Sequence, residues 1–248
     1  MIKRAVLLAA GRGTRLGALT GDRPKPMVPL LGKPALEHIL LRLARVGIME
    51  FILVVGYRAE AIKSYFGDGA RWGWRISYAL QPKPDGTGAA LAQARDLAGS
   101  EPVLASYGDI LTDEANYRRL LNEYLAAPCA AVVGINSVED VSAGSAVTVD
   151  GNRVVNVVEK PPPGTTDSHW NLAGASVYGP GIWEALAALK PSARGEYELT
   201  DAIGSLIAAG QEVRACEFTG FWSDIGTPEA LRAAEQALAA GSDRDSAR

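Results

Sequence analysis

Cysteine and histidine are scarce in this chain, with two of each among 248 residues, and charge of neither sign dominates. Cys129 and Cys216 both fall in apolar, strand-like runs without metal-ligand spacing. That excludes a disulfide framework, argues against a zinc site, and reads as two buried free thiols of a reducing compartment. The formal charge of -3 gives no electrostatic case for nucleic acid or for an anionic membrane surface. No apolar run approaches the ~20 residues that span a bilayer. No charged-apolar-small leader precedes the first strand. The expectation is a cytoplasmic protein with no membrane and no nucleic-acid partner. No Ser-His-Asp or Cys-His set is visible, so covalent nucleophilic catalysis has no support. His38 lies inside an amphipathic helical pattern and reads as structural; His169 carries no assignment.

Two well-known phosphate loops are also missing. A P-loop needs G-x-x-x-x-G-K-[ST], and Gly32-Lys33 is followed by Pro34. The dinucleotide fingerprint G-x-G-x-x-G fails because Leu16 stands at the third glycine's place. Pro24, Pro26 and Pro29 then forbid a regular helix. What stands there instead organises the chain. Ile2 to Leu8 is a short apolar run that reads as a buried strand, and it breaks into Ala9-Ala10-Gly11-Arg12-Gly13-Thr14-Arg15-Leu16. Small residues at a strand end let a ligand approach the backbone, and glycines allow several N–H groups to aim at one anion. Arg12, Arg15, Arg23 and Lys25 put four cations within fourteen positions of that turn. The segment reads as a polyphosphate site on a loop of about twenty residues, a length usually reserved for function.

The rest of the chain alternates. Helical spacing covers residues 34–46, a strand 51–55, a helix 59–66 and a strand 75–80; Thr87 then opens a helix through Leu97, which it is placed to cap. Val103 to Tyr107 is a strand ending in Gly108-Asp109, and a carboxylate there sits where open α/β sheets bind ligands. A helix over 114–125 and a strand over 129–135 follow. From about Gly144 the texture changes to a hairpin, 146–149 and 154–158 around Asp150-Gly151-Asn152. A strand at 171–178, helices at 180–189 and 199–209, a strand at 213–217 and a helix from Glu229 to Ala239 complete the order. This predicts an α/β fold, a Rossmann-like three-layer sandwich around a mixed, mostly parallel sheet, with a small β-hairpin insertion. One domain over 1–240 is expected, with a division near residue 140 and a disordered tail over 241–248.

On residue type alone, Asp109 and Asp224 match the one or two carboxylates that a nucleotide-bound Mg²⁺ takes, although Asp224 could equally stabilise the N-terminus of the last helix. Gln81 offers a donor and an acceptor, matching the imide edge of uracil or thymine, or is simply a polar strand end. Glu159-Lys160 is a charged turn that could hold a ligand.

The run Leu7-Leu8-Ala9-Ala10-Gly11-x-Gly13-Thr14-Arg15-Leu16 with Pro24-Lys25-Pro26 resembles the signature of the sugar-1-phosphate nucleotidyltransferases. Gly108-Asp109 and Trp222-x-Asp224-Ile225-Gly226-Thr227-Pro228 resemble that family's two metal-binding segments. The likeness extends from residue 2 to about 235. It implies nucleotide contacts at Leu8, Ala10, Gly11, Gly13, Thr14, Arg15, Gln81, Gly86 and Thr87, and Mg²⁺ on Asp109 and Asp224. It implies sugar-phosphate contacts at Gly144, Glu159, Lys160, Asn171 and Gly174, with Arg15, Lys25 and Asp109 as catalytic groups. Glu198-Leu199-Thr200-Asp201 resembles a further segment near the sugar, or caps a helix. Ala143 stands where many relatives carry a larger side chain, which leaves the sugar open.

The reaction so implied joins an NTP to a sugar 1-phosphate and releases pyrophosphate. The run from Gly86 to Leu91 looks closer to uridylyl- than to thymidylyltransferases, and UTP and dTTP are both admitted. Glucose 1-phosphate is the first sugar; N-acetylated or muramyl sugars are the second. Two alternatives stay open: a non-catalytic NDP-sugar-binding regulator, and a transferase for another acceptor such as phosphocholine. A homo-oligomer is left open. No carboxyl-terminal β-helix, and so no built-in acetyltransferase, is expected.

Overall fold

The computed structural model describes residues 2–245, without the side chains of Thr14, Arg15, Ala18 and residues 241–245. Strand β1 (Arg4–Ala9) is apolar on both faces because helices cover both: Leu7 joins one core and Val6 the other. A long connection with two 3₁₀ turns, Thr14–Thr20 and Lys25–Met27, leads to the two-residue strands β2 (Pro29–Leu30) and β3 (Lys33–Pro34). Helix α1 (Ala35–Arg45) follows and buries Leu36, Ile39, Leu40 and Leu43, the i, i+3, i+4, i+7 stripe seen in the sequence. Then come β4 (Glu50–Val55), α2 (Ala59–Phe66), β5 (Arg75–Leu80), α3 (Thr87–Ala92) and α4 (Arg95–Ala98).

The chain continues through β6 (Val103–Tyr107), β7 (Ile110–Thr112), α5 (Glu114–Ala126), β8 (Ala131–Ser137), β9 (Ser145–Asp150), β10 (Arg153–Glu159) and β11 (Trp170–Tyr178). It closes with α6 (Ile182–Ala187), α7 (Leu199–Ala208), β12 (Val213–Glu217), β13 (Trp222–Asp224) and α8 (Pro228–Asp245).

Nine strands form one sheet in the order β5-β4-β1-β6-β11-β8-β12-β10-β9. The strands β5, β4, β1, β6, β8, β12 and β9 share one direction, and β11 and β10 run against it, so the sheet is mixed and mostly parallel as expected. One core, with Leu36, Ile62, Tyr117 and Ala234, packs α1, α2, α5 and α8 on one face. The other, with Leu91, Ala98, Ile182 and Ile203, packs α3, α4, α6 and α7 on the opposite face. This is the three-layer sandwich.

Four details go beyond the sequence reading. The helix expected over 87–97 is two helices, because the N–H groups of Gln93 and Ala94 bond back three residues, to Ala90 and Leu91, and tighten the turn between them. The short strands β7 and β13 pair antiparallel with Asp224 opposite Ile110; three residues each are too few to show a period. The hairpin β9–β10 forms the sheet's edge, and β9 also pairs with β11 at Trp170 and Asn171. Finally, α8 runs to Asp245, into the stretch expected as a tail over 241–248, of which residues 246–248 lie outside the described residues.

Candidate active site

The carboxyl ends of the parallel strands open into a cleft of about 300 Å³, lined by Leu8, Ala10, Gly11, Lys25, Gln81, Gly86, Thr87, Tyr107 and Asp109 among others. Backbone bonds hold its floor: Gly108 N–H donates to the Leu8 carbonyl (2.9 Å) and Tyr57 N–H to that of Ala10 (3.2 Å). Of the four cations in the first loop, Lys25 is the one that reaches this cleft among the described side chains. Arg23 pairs with Asp22 at the surface (2.9 Å), and Arg12 lies over the Tyr57 ring, 5.2 Å from its centroid. The side chains of Thr14 and Arg15 lie outside the described residues.

Lys25 is buried and forms an ion pair with Asp109. Gly13 makes that placement possible: it adopts φ +73°, and a Cβ on it would sit 2.5 Å from the Lys25 Cβ. A larger residue there would be strained twice, by its backbone and by the lysine stem.

Gln81 is also buried. Its amide nitrogen donates to Asp85 Oδ1 (3.2 Å) and to the Gly86 carbonyl (3.1 Å), which leaves the carboxamide oxygen as the atom able to accept from a base N–H. Thr87 does not cap its own helix. Its hydroxyl instead accepts the Leu199 N–H (3.2 Å) at the start of α7. Gly86, at φ +119°, and Gly88 approach the Tyr197 backbone too closely for a Cβ. Tyr197 N–H donates to Asp85 (2.7 Å) and Gly88 N–H to Tyr197 (2.8 Å). The turn from Asp85 to Gly88 is thus stitched to the segment before α7, which also brings Glu196 to the cleft.

Asp224 faces Ile110 across the β7–β13 ladder, and Ile225 N–H donates to the Asp109 carbonyl (2.8 Å). The fold therefore brings the backbones of the two sequence-distant aspartates side by side. Among the described residues no group of three or more His, Cys, Asp or Glu forms a metal cage. Two hard carboxylates without His or Cys fit Mg²⁺, which keeps its other positions for phosphate oxygens and water.

The residues that the sequence reading assigns to the sugar phosphate lie on and beside β9, β10 and β11, and Gly144, Glu159, Lys160 and Asn171 are linked through that region. Gly144 packs against the Asn171 amide so closely that a Cβ would overlap it. Asn171 Oδ1 accepts the Ser145 N–H (2.9 Å), while its Nδ2 donates to Asn136 Oδ1 (3.2 Å) and the Leu172 carbonyl (2.8 Å). Both amide hydrogens are engaged inside the protein. Lys160, at φ +42°, donates its N–H to Gly144 (2.8 Å). Glu159 accepts from Ser145 Oγ (2.6 Å) and pairs with Arg194 (3.4 Å), which also meets Glu196 (3.4 Å) and Glu198 (3.2 Å). Burial first, then the nearby Glu159 charge, push the Glu198 carboxyl up, against the pull of Arg194. Gly174 sits at φ +78° where β11 shifts register against β8.

Tyr107, Arg194 and Glu196 have no role in the sequence reading. An aromatic at a strand end and a charged connection before a helix carry no signal of where the fold brings them. His38 is structural as expected, its Nε2 bonded to the Leu30 carbonyl (2.8 Å).

A family model described as nucleotidyl transferase matches residues 4–241. The chain belongs to the nucleotidyl transferase family. Glucose-1-phosphate thymidylyltransferase of Streptomyces griseus is 35% identical over 90% of this chain and 62% of that protein. UTP–glucose-1-phosphate uridylyltransferase AglF of Haloferax volcanii is 36% identical, covering 95% of this chain and 96% of that one. A crystal structure of UDP-glucose pyrophosphorylase complexed with UDP-glucose superposes with a TM-score of 0.87 at 25% identity, covering 97% of this chain and 100% of that chain. Several curated relatives are longer: the chain spans 51% to 65% of their length. The family read from the glycine-rich turn is therefore borne out, as is the Rossmann-like fold. Among the described residues no helix is long and apolar enough to cross a membrane.

Proposed function

We propose that this chain transfers a nucleotidyl group from an NTP, UTP or dTTP first, to a sugar 1-phosphate, glucose 1-phosphate first, releasing pyrophosphate. The observation that carries the reading is the meeting of Lys25, Asp109, Gln81 and the Gly11 turn in one cleft, with Asp224 one ladder step away. The Streptomyces relative, a glucose-1-phosphate thymidylyltransferase, and the Haloferax relative, a UTP–glucose-1-phosphate uridylyltransferase, support the same substrate classes.

The sugar phosphate oxygen forms a bond to the α-phosphorus as the bond to the β-phosphate oxygen breaks, and pyrophosphate leaves with the electron pair. Such a step needs positioning and charge neutralisation more than a protein base. Gln81 orients the base through its carboxamide oxygen. The Gly11–Gly13 turn offers backbone N–H groups to the phosphates, and Arg15 is assigned to the departing pair. Lys25 supplies a charge at the α-phosphate, and Glu159 with Lys160 orients the sugar hydroxyls and phosphate. Asp109 and Asp224 would hold Mg²⁺, which when bound neutralises phosphate charge. Asn171 and Gly144 act by fixing the strand that carries Ser145 and, through it, Glu159.

The test is pyrophosphate release with Mg²⁺ across UTP, dTTP, CTP, GTP and ATP against a panel of sugar 1-phosphates. Release confined to UTP or dTTP is expected. Silence across the panel, with an NDP-sugar still raising the melting temperature, would favour a non-catalytic sensor instead.

A further inference from the structure

Tyr57, just after β4 and outside the lining of the cleft, holds the glycine-rich loop at three points. Its N–H donates to the Ala10 carbonyl (3.2 Å), and the Arg12 guanidinium lies over its ring. Its hydroxyl donates to the Gly21 carbonyl (3.4 Å). Arg58 closes the set: Nε donates to the Tyr57 hydroxyl (3.1 Å) and Nη2 to the same Gly21 carbonyl (3.1 Å). Arg58 does this from φ +48°, a left-handed backbone that a glycine would adopt without strain. The chain keeps a guanidinium there and turns it on the loop. From Gly21 the hold passes inward. Neighbouring Thr20 is buried, and its hydroxyl donates to the Gly13 carbonyl (3.0 Å). Gly13 in turn packs on the stem of Lys25. Arg12, Gly21 and Arg58 are exposed, so each outer contact competes with water and is weak by itself.

We infer that Tyr57 and Arg58 are positioning residues: together they clasp the loop of residues 11–24 in the pose that receives the nucleotide's phosphates. This rests on the nucleotidyl-transfer reading and deepens it, by naming side chains that act on the phosphate site from outside the cleft. A clasp of weak, exposed contacts works on population. With it broken, fewer molecules hold the loop in the competent pose, and the apparent affinity for the nucleotide falls by that fraction. Saturating nucleotide draws the loop back, so the turnover rate and the KM for the sugar phosphate are kept.

The experiment compares wild type, Tyr57→Phe, Tyr57→Leu and Arg58→Gly in three ways. Pyrophosphate release from UTP and glucose 1-phosphate gives kcat and both KM values, and a melting transition is recorded for each protein. Limited trypsinolysis without ligand, read by mass spectrometry, follows cleavage after Arg12 and Arg15; Arg23 precedes Pro24 and resists. Tyr57→Leu should raise the KM for UTP on the order of tenfold, as when the competent pose falls to about a tenth of molecules. Its kcat should stay within about twofold, and loop cleavage should be faster. Tyr57→Phe keeps the ring beneath Arg12 and should fall between the two. Arg58→Gly relaxes the backbone, so it should melt at or above the wild-type temperature and still show the raised KM and faster cleavage. That variant decides the question if Tyr57→Leu does not fold. Wild-type KM and wild-type cleavage in Arg58→Gly would overturn the inference, as would a lowered kcat with unchanged KM. A wild type that releases no pyrophosphate would overturn the transfer reading. The clasp would then stand on faster loop cleavage in the variants and fall on equal cleavage.

Discussion

Two parts of the site are built in opposite ways. Around the Gly11 turn, strand ends and glycines expose backbone, and few side chains enter the cleft: Lys25 reaches in over Gly13, and Gln81 keeps one oxygen available. Around Asn171 and Glu159 the polar side chains first satisfy one another. Asn171 is spent on Ser145, Asn136 and Leu172, and Arg194 is shared among Glu159, Glu196 and Glu198. An open, backbone-rich site should lose chemistry on mutation while the fold survives. A pre-wired site should lose stability as well, because each truncation strands a buried partner.

The largest effect tests the first half of that contrast. Lys25→Ala removes the cation in the cleft and should lower kcat on the order of 10²–10³-fold. Its melting temperature should stay near the wild-type value; a collapsed melting curve would break the comparison. Asn171→Ala tests the second half. It leaves Asn136 Oδ1 and the Ser145 N–H without their partner, and urea denaturation should show a loss of about 1–3 kcal/mol. Unchanged stability would mean that the wiring is incidental. Thr87→Val sharpens the boundary between the halves, because it removes the acceptor for the first N–H of α7. A loss of about 0.5–2 kcal/mol is expected from the missing cap, together with a raised KM for the nucleotide.

The smallest effect is a pH dependence. Glu198 holds its proton more tightly folded than unfolded, since burial dominates its environment. Its contribution is fully present below the unfolded pKa and is lost as pH rises through the higher folded pKa. Glu198→Gln, which mimics the protonated form, should match wild type in acid and be the more stable above that range. Urea midpoints at a series of pH values measure this, and parallel curves would show that Arg194 fully compensates the charge.

The contrast also explains what could be read from the chain. The parallel half was legible because buried strands are short apolar runs and its helices carry a clean stripe, as in α1. The glycine-rich turn that lines the cleft was legible because glycine and proline spacing is local. The region around Asn171 was less so. Nothing in the sequence around Asn171 says whether its amide faces a ligand or Asn136. Thr87 looked like a cap for the helix it begins, yet its hydroxyl turns to Leu199, more than a hundred positions away. Tyr107 and Arg194 acquire meaning from neighbours brought by tertiary packing, and β7 with β13 is too short to show a period. Local chemistry was readable, and long-range pairing was not.

The central claim is that one cleft carries out transfer to a sugar phosphate rather than mere binding. Incubating UTP labelled at its α-phosphorus with glucose 1-phosphate and Mg²⁺ tests it most directly. The expected result is label in UDP-glucose with an equal amount of pyrophosphate, formed on the order of 10²–10³-fold more slowly with Lys25→Ala. Label that remains in UTP, or that appears in UMP without any nucleotide sugar, would contradict it.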